Sequence, residues 1–340
     1  MNIRIGFSGC GAIATHHYVA IQNTPNAVFV GATAAKPEYA IPFCSEHNGR
    51  VFDSYEDMLR SPDIDAVCIL SPSGLHAEQT IQAIHAGKHV LVEKPMALTL
   101  SQADSVIEEA KRHNVKVGAV SQFRLSDSIN RVKHTIDCGL LGRLVTADVS
   151  MKYNRSTEYY SSSPWRGTWA MDGGGALMNQ GIHGIDTLLY LMGDVKSVYG
   201  ITRTLKHSIE VEDTALAALE FQCGALGYIQ GTTSVYPGVP RRISISGTKG
   251  TISLIEQEIV DWNIEGQDIP ADLNNEHSIR SGASNPLDFD ADGHIRQMRD
   301  FVNAILENRE PAVNCVQARR AIQLITAIYE SSATGKRIDL

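Results

Sequence analysis

No run of about 18 apolar residues occurs in this chain, so nothing in it has the length to cross a bilayer as a helix. No block of Lys and Arg occurs either. The 30 basic side chains are outnumbered by 38 acidic ones, a formal charge of −8, which speaks against nucleic acid or an anionic membrane as a partner. The six cysteines (Cys10, Cys44, Cys68, Cys138, Cys223 and Cys315) form no C-x-x-C pair and no zinc spacing. No metal site is therefore expected, and the thiols read as buried groups in a reducing compartment. A basic leader and long apolar stretch are missing before Ile3-Arg4-Ile5-Gly6-Phe7, so the expectation is a cytoplasmic protein. Internal repeats and low-complexity tracts are missing too.

What is present is an ordinary globular composition, 43% hydrophobic and 20% charged over 340 residues, enough for two domains of roughly 150 residues. Up to about residue 122 short apolar runs alternate with helix-length segments, the pattern of a parallel α/β sheet buried on both faces. The runs are Ile3–Phe7, Val28–Ala32, Ala66–Leu70, His89–Val92 and Val115–Val120, with helices expected near Ile13–Gln22, Glu38–His47, Leu75–Ala86 and Ser101–His113. Ser101 and Asp104 form a capping-box-like start for the last of these. From 123 to 340 longer strand-like segments separated by Gly turns predict a largely antiparallel sheet of about six strands. One helical segment, Ala176–Met192, precedes most of it, and two helices near His294–Leu306 and Val316–Thr334 close the chain. Residues 266–293, polar and rich in Asn, Ser, Asp and Pro, read as a long surface loop.

Gly9-Cys10-Gly11-Ala12-Ile13-Ala14 fits G-x-G-x-x-G/A, after a strand and opening a helix. Gly9 permits the tight turn, Gly11 lets backbone approach a pyrophosphate, and Ala14 packs the helix close, with phosphates at its N-terminus. The second strand ends Gly31-Ala32-Thr33-Ala34-Ala35-Lys36, without the Asp or Glu that bonds the ribose hydroxyls of NAD. Lys36 is placed to meet a 2′-phosphate, so the residues leave NAD and NADP both open, with Ala34 and Lys36 as the discriminating positions.

Glu93-Lys94-Pro95 follows the strand ending at Val92, at the carboxyl edge where open α/β sheets bind ligands. A Lys there can donate to a substrate oxygen or serve as acid or base. Further on, Gly173-Gly174-Gly175 leads a helix with Asn179, His183 and Asp186 at i, i+4 and i+7, a polar stripe on an otherwise apolar helix. A hydrogen-bonded core histidine is the competing reading of that stripe.

Together these segments resemble the glucose–fructose oxidoreductase / inositol dehydrogenase / rhizopine-catabolism (Gfo/Idh/MocA) family over essentially the whole chain. Gly9–Ala14, Ser71-Pro72-Ser73 with His76, Glu93-Lys94-Pro95 and the glycine-led helix through His183 and Asp186 carry the resemblance. It implies an α/β protein: a Rossmann domain over 1–122, and over 123–340 an α/β domain with a large, mostly antiparallel open sheet used for homodimers or homotetramers. The closing helices are expected to reach back to the first domain. It further implies hydride transfer between NAD or NADP and a carbinol carbon of a sugar, a sugar derivative such as a nucleotide-linked one, or a cyclitol. Lys94 matches the family's catalytic lysine and His183 its catalytic histidine. Many members carry Asp where this chain has Asn179, and an amide cannot ionise; the proton then falls to His183 or Lys94.

Expected cofactor contacts are Gly9, Gly11, Ala12, Ile13, Ala14, Ala34, Lys36, Ser71, Pro72, His76, Glu93, Lys94 and Gln122. Expected substrate contacts are Lys94, Arg124, Trp165, Arg166, Asn179, His183 and Tyr236. Arg166 stands between Trp165 and Trp169 in sequence, a setting for sugar stacking and an anionic group. Two other classes fit the same signals: a glycoside hydrolase that retains NAD, and a non-catalytic dinucleotide sensor, which would have no use for an acid/base pair.

Overall fold

The computed structural model describes residues 2–274, 281–285 and 291–340. It falls into two compact units, Met1–Gln122 with Asp290–Arg319, and Phe123–Phe289 with Arg320–Leu340. The first is built on strands β1 (Ile3–Ser8), β2 (Ala27–Thr33), β3 (Arg50–Val51), β4 (Ala66–Ile69), β5 (His89–Val92) and β6 (Val117–Ala119). All pair in parallel, in the order β3-β2-β1-β4-β5-β6. The order reverses between β1 and β4, and ligands of doubly wound sheets bind at the carboxyl ends there. β4 is buried along its length and β1 nearly so, which is why these strands read as continuous apolar runs.

Helices Ala14–Gln22, Pro37–Glu46, Tyr55–Arg60, His76–His85 and Leu100–His113 connect the strands. The cap of the last differs from expectation. Thr99 and Gln102 form the reciprocal capping box, while Asp104, one turn in, pairs with Arg319. The two-residue β3 is too short to show a period. The helix Asp292–Leu306 packs against Ala14–Gln22, and its Met298, Phe301 and Val302 share a core with Ile3, Ile5 and Phe7.

The second unit holds an eight-stranded sheet: β7 (Leu144–Lys152), β8 (Val195–Arg203), β9 (Thr214–Phe221), β10 (Leu226–Thr232), β11 (Arg242–Gly247), β12 (Gly250–Ile255), β13 (Glu258–Ile264) and β14 (Ile338–Asp339). The order is β13-β12-β11-β7-β10-β9-β8-β14. Only β7 and β10 run parallel; the other neighbours are antiparallel. β13 and β14 go beyond the expected strands. Helices Asp127–Asp137, Thr157–Ser161 and Ile182–Met192 belong to this unit, and the helix Cys315–Thr334 ends in it.

The expected loop at 266–293 is only partly a surface loop. Ala271–Asn274 form a 3₁₀ turn, Ala283 is buried with its carbonyl 2.8 Å from the Asn154 amide, and Asp292 already begins a helix. Positions 275–280 and 286–290 lie outside the described residues. Among the described residues no helix is long and apolar enough to cross a membrane.

Candidate functional site

Within the first unit the dinucleotide loop leaves β1 at Gly9. Its φ is +106°, and a Cβ there would stand 2.7 Å from the Leu70 carbonyl oxygen, so both conformation and space demand glycine. Gly11 differs. A Cβ on it would meet no heavy atom within 4 Å, so the protein's own packing does not require glycine there, whereas an approaching pyrophosphate would. Ala12 is exposed, Ile13 half-buried and Ala14 fully buried. No side chain caps this helix start; the Ala14 N–H bonds to the Gly11 carbonyl at 2.9 Å, and the His16 and His17 N–H groups bond to the Ile13 carbonyl at 3.1 and 3.3 Å. Burial pushes the Cys10 thiol in this loop up to about 12, which keeps it protonated.

At the end of β2, Ala34 is half-buried and Lys36 exposed. Lys36 Nζ lies 3.7 Å from Glu38 Oε1. A carboxylate does therefore stand near the strand end, two residues beyond Lys36, where the strand-end pattern alone did not show it. Next to the β4 end, Ser71 Oγ donates to Gln79 Oε1 (2.7 Å), which also accepts from Ser8 Oγ (3.1 Å). His76 is buried, with Nδ1 2.7 Å from the Pro95 carbonyl and Nε2 2.8 Å from the Ser71 carbonyl. Burial lowers its pKa, against the pull of those two oxygens. His76 thus ties the Ser71-Pro72 turn to the cis peptide Lys94-Pro95.

Lys94 is half-buried, and its backbone N–H donates to Glu93 Oε2 (3.1 Å). Glu93 itself is buried and faces His17, Nε2 to Oε1 2.8 Å, with His294 Nε2 at 3.9 Å. Its carboxylate is thereby engaged inside the unit. Gln122, after β6, is also buried, and its Oε1 has no hydrogen-bond partner among the described residues. A buried acceptor of this kind fits an amide or hydroxyl donor of a ligand.

Within the second unit Ala176–Gly181 form a π-turn that runs into the helix Ile182–Met192. The N–H groups of Asn179 and Gln180 both bond to the Gly175 carbonyl, each at 3.2 Å. The extra residue of a π-turn breaks the simple i, i+4 spacing expected of Asn179 and His183. Asn179 is buried; its amide donates to Asp172, which is 2% exposed. Gln180 Nε2 donates to Tyr159 Oη (2.7 Å) and its Oε1 accepts from Arg155 Nε (2.9 Å). Asp172, Gln180, Tyr159 and Arg155 were not foreseen: Asp172 reaches Asn179 from the loop before the π-turn, and Tyr159 and Arg155 reach Gln180 from a distant segment. His183 is half-buried, its ring 5.1 Å from Phe123 in an edge contact, and the Arg241 guanidinium lies 4.4 Å over that same Phe123 ring.

Arg124 and Asp186 are both buried and form a bidentate pair at 2.6 and 2.5 Å. Through this pair Arg124 braces the His183 helix. Arg166 stacks at 4.9 Å over Trp165 and at 4.2 Å over Tyr159. Trp169, the second tryptophan expected there, packs instead on Tyr329. Tyr236 is 86% exposed, beside the cis bond Tyr236-Pro237.

A family model described as "Oxidoreductase family, NAD-binding Rossmann fold" matches residues 3–120, and one for the GFO/IDH/MocA C-terminal domain matches 129–253. The crystal structure of the WlbA dehydrogenase from Bordetella pertussis, in complex with NADH and UDP-GlcNAcA, is 34% identical to the chain, covering 100% of it and 99% of WlbA at a TM-score of 0.90. The chain belongs to the GFO/IDH/MocA oxidoreductase family. Two further relatives share less of the sequence. The myo-inositol 2-dehydrogenase of Thermotoga maritima is 23% identical over 99% of this chain and 98% of its own length. The NADP(+)-linked D-xylose 1-dehydrogenase of Haloarcula marismortui is 25% identical over 92% and 82%.

Proposed function

We propose that this protein is an NAD(H)-dependent dehydrogenase or reductase acting on a carbinol carbon of a nucleotide-linked sugar acid. The observation that carries the reading is its end-to-end likeness to WlbA, whose crystal structure holds NADH and UDP-GlcNAcA, on a chain that keeps Lys94 and His183. The Arg166–Trp165–Tyr159 stack supports it, since a guanidinium against aromatic faces suits a sugar that also carries negative charge.

Gly9, Gly11 and the helix start at Ala14 would hold the pyrophosphate, Gln122 would offer a buried acceptor, and Ala34 would stand near the ribose. The bound nicotinamide supplies the hydride chemistry. Lys94 Nζ donates to the substrate oxygen, and a ring nitrogen of His183 takes or returns the hydroxyl proton. Asn179, an amide, binds or orients without ionising. Pairing with Glu38 reduces what Lys36 offers a 2′-phosphate, so NAD(H) is preferred in this reading. The six unpaired thiols suit the cytoplasm. The exposed face of the second sheet would join copies of the chain.

The test is a panel of UDP-sugar acids, free sugars and cyclitols with NAD⁺ and NADP⁺, followed by nicotinamide absorbance. Reduction of NAD⁺ by a UDP-sugar acid alone is the expected result. Activity confined to a free sugar or cyclitol would reject the substrate class. Glycoside cleavage without added cofactor would reject the dehydrogenase reading in favour of an NAD-retaining hydrolase.

A further inference from the structure

Three elements of the first unit meet in its interior at one carboxylate. His17 lies on the helix Ala14–Gln22 that starts at the dinucleotide loop, Glu93 follows β5, and His294 lies on the helix Asp292–Leu306. They are 1%, 7% and 3% exposed. Glu93 Oε1 receives His17 Nε2 at 2.8 Å and has His294 Nε2 at 3.9 Å. The other oxygen, Oε2, accepts the Lys94 N–H at 3.1 Å, and the Glu93 N–H is anchored on the Ile69 carbonyl at 3.0 Å.

We propose that His17, Glu93 and His294 are positioning residues that fix the Lys94 backbone to the helix of the dinucleotide loop. The proposal rests on the reading that Lys94 acts on the substrate. A buried carboxylate held by polar groups is a poor source of stability, since hydrophobic residues of similar volume often do as well or better. Its presence at a core junction calls for a geometric reason, and the contact of Oε2 with the Lys94 amide supplies one. Burial alone would raise the Glu93 pKa, but the hydrogen bonds and charges of His17 and His294 hold it well below the ordinary value, so the carboxylate is an acceptor at both oxygens. Among the described residues, polar groups near it include His16, whose ring is 5.8 Å from that of His294, and Cys68 and His76, on both of which the Glu93 charge acts. The Lys94 ammonium also acts on His76. The His17, Glu93 and His294 ligand atoms lie within 4.8 Å of one another, and the 2.8 Å His17–Glu93 contact has the length of a direct hydrogen bond.

The experiment uses the full chain with Glu93→Gln, His17→Leu and His17→Gln, each alone and in a Lys94→Ala background. Glu93→Gln removes the charge at constant volume, and His17→Gln keeps a donor where His17→Leu does not. Expected are losses in kcat of about 10- to 100-fold for Glu93→Gln and His17→Leu, the scale of misplacing a reacting group by about an ångström. KM and NADH affinity should stay within about threefold, with His17→Gln recovering most of the loss. In the Lys94→Ala background the same changes should add almost nothing, since the residues act through Lys94. Full multiplication of the effects in that background, or a lowered melting temperature with unchanged kcat, would overturn the proposal. A kcat that falls with chelator and returns with Zn²⁺ would overturn it in favour of a metal site. Should no sugar be turned over by the parent chain, the functional reading fails first. The positioning is then read from the NMR signal of ¹³C-dimethylated Lys94, assigned with Lys94→Arg: it should move in Glu93→Gln and His17→Leu and return in His17→Gln, and an unmoved signal rejects the proposal.

Discussion

Asn179 stands where a carboxylate would touch another carboxylate. Asp172 accepts the Gly167 N–H at 2.9 Å and the Asn179 amide, in a buried setting. Replacing Asn179 by Asp would put two acids in hydrogen-bond contact, and one of them must keep its proton. Asn179→Asp is therefore expected to add to the pH–rate profile a group titrating above the ordinary carboxylate range. A group raised in the folded state stabilises at low pH and loses that contribution as pH rises through its folded pKa, so the variant's melting temperature should fall over the same interval. A profile identical to the parent's would show that the two side chains do not share a proton. Lys94→Ala and His183→Ala should each lower kcat by about 10²–10⁴-fold with NADH affinity kept, and parental turnover in both would remove them from the chemistry. The glycines of the dinucleotide loop separate in the same manner. Gly11→Val should keep the melting temperature, having open space, and lose cofactor affinity, while Gly9→Ala should destabilise the fold itself. Equal NADH binding by Gly11→Val and the parent would displace the pyrophosphate from this loop. Lys94, His183, Gly9 and Gly11 were legible because each sits in a short contiguous motif. Asp172, His17 and His294 were not, because their partners are far away in sequence or reached from the loop before the π-turn.

At the scale of elements, the approach to the His183 helix hangs on one acid. Glu212 is buried and accepts the N–H groups of Gly175 (3.0 Å) and Leu177 (2.8 Å) and the Tyr329 hydroxyl (2.9 Å). A Cβ on Gly175 would lie 2.0 Å from the Glu212 carbonyl, so backbone and side chain of Glu212 both grip the start of the π-turn. Burial raises the Glu212 pKa, outweighing those donors. Raised in the folded state, it contributes its stability below the ordinary carboxylate value and loses it as pH rises through the folded value. Glu212→Gln, which does not titrate, should lack that part of the pH dependence of unfolding. Parallel curves of melting temperature against pH for parent and variant would assign the slope elsewhere. Strand periodicity recovered β1, β2, β4 and β5 and most of the second sheet, because burial on one or both faces writes itself into apolar spacing. It missed the short β3 and β14, the polar-rich β13, and helices such as Asp127–Asp137, and it put the capping box two residues late, since Thr99-x-x-Gln102 and Ser101-x-x-Asp104 overlap.

For the whole molecule, among the described residues the second sheet presents an exposed apolar face. Tyr199, Ile201, Leu216 and Tyr228 are 45%, 46%, 52% and 43% exposed, and Leu226 is 63% exposed. They are neighbours across the sheet. Ile201 stands opposite Leu216 in the β8–β9 register, Tyr199 opposite Ala218, and Ala218 opposite Tyr228 on β10. Scattered apolar residues on a surface need no explanation, but a contiguous stripe over three strands marks a contact surface. Charged residues border the stripe: Lys196, Glu220 and Arg337 pair among themselves, and Asp148 on β7 stands opposite Tyr228. Burying a side chain of this kind stabilises by about 1.5–3 kcal/mol, so a few per subunit offset much of the entropy lost on association. The parent chain is expected to sediment as a dimer or tetramer, and Ile201→Glu with Leu216→Glu to sediment as a monomer. These positions are on the sheet of the second unit, while the dinucleotide loop belongs to the first, so the monomeric variant should still bind NADH. A parent chain that is monomeric at micromolar concentration, or a double variant that remains oligomeric, would show that this face joins no second copy.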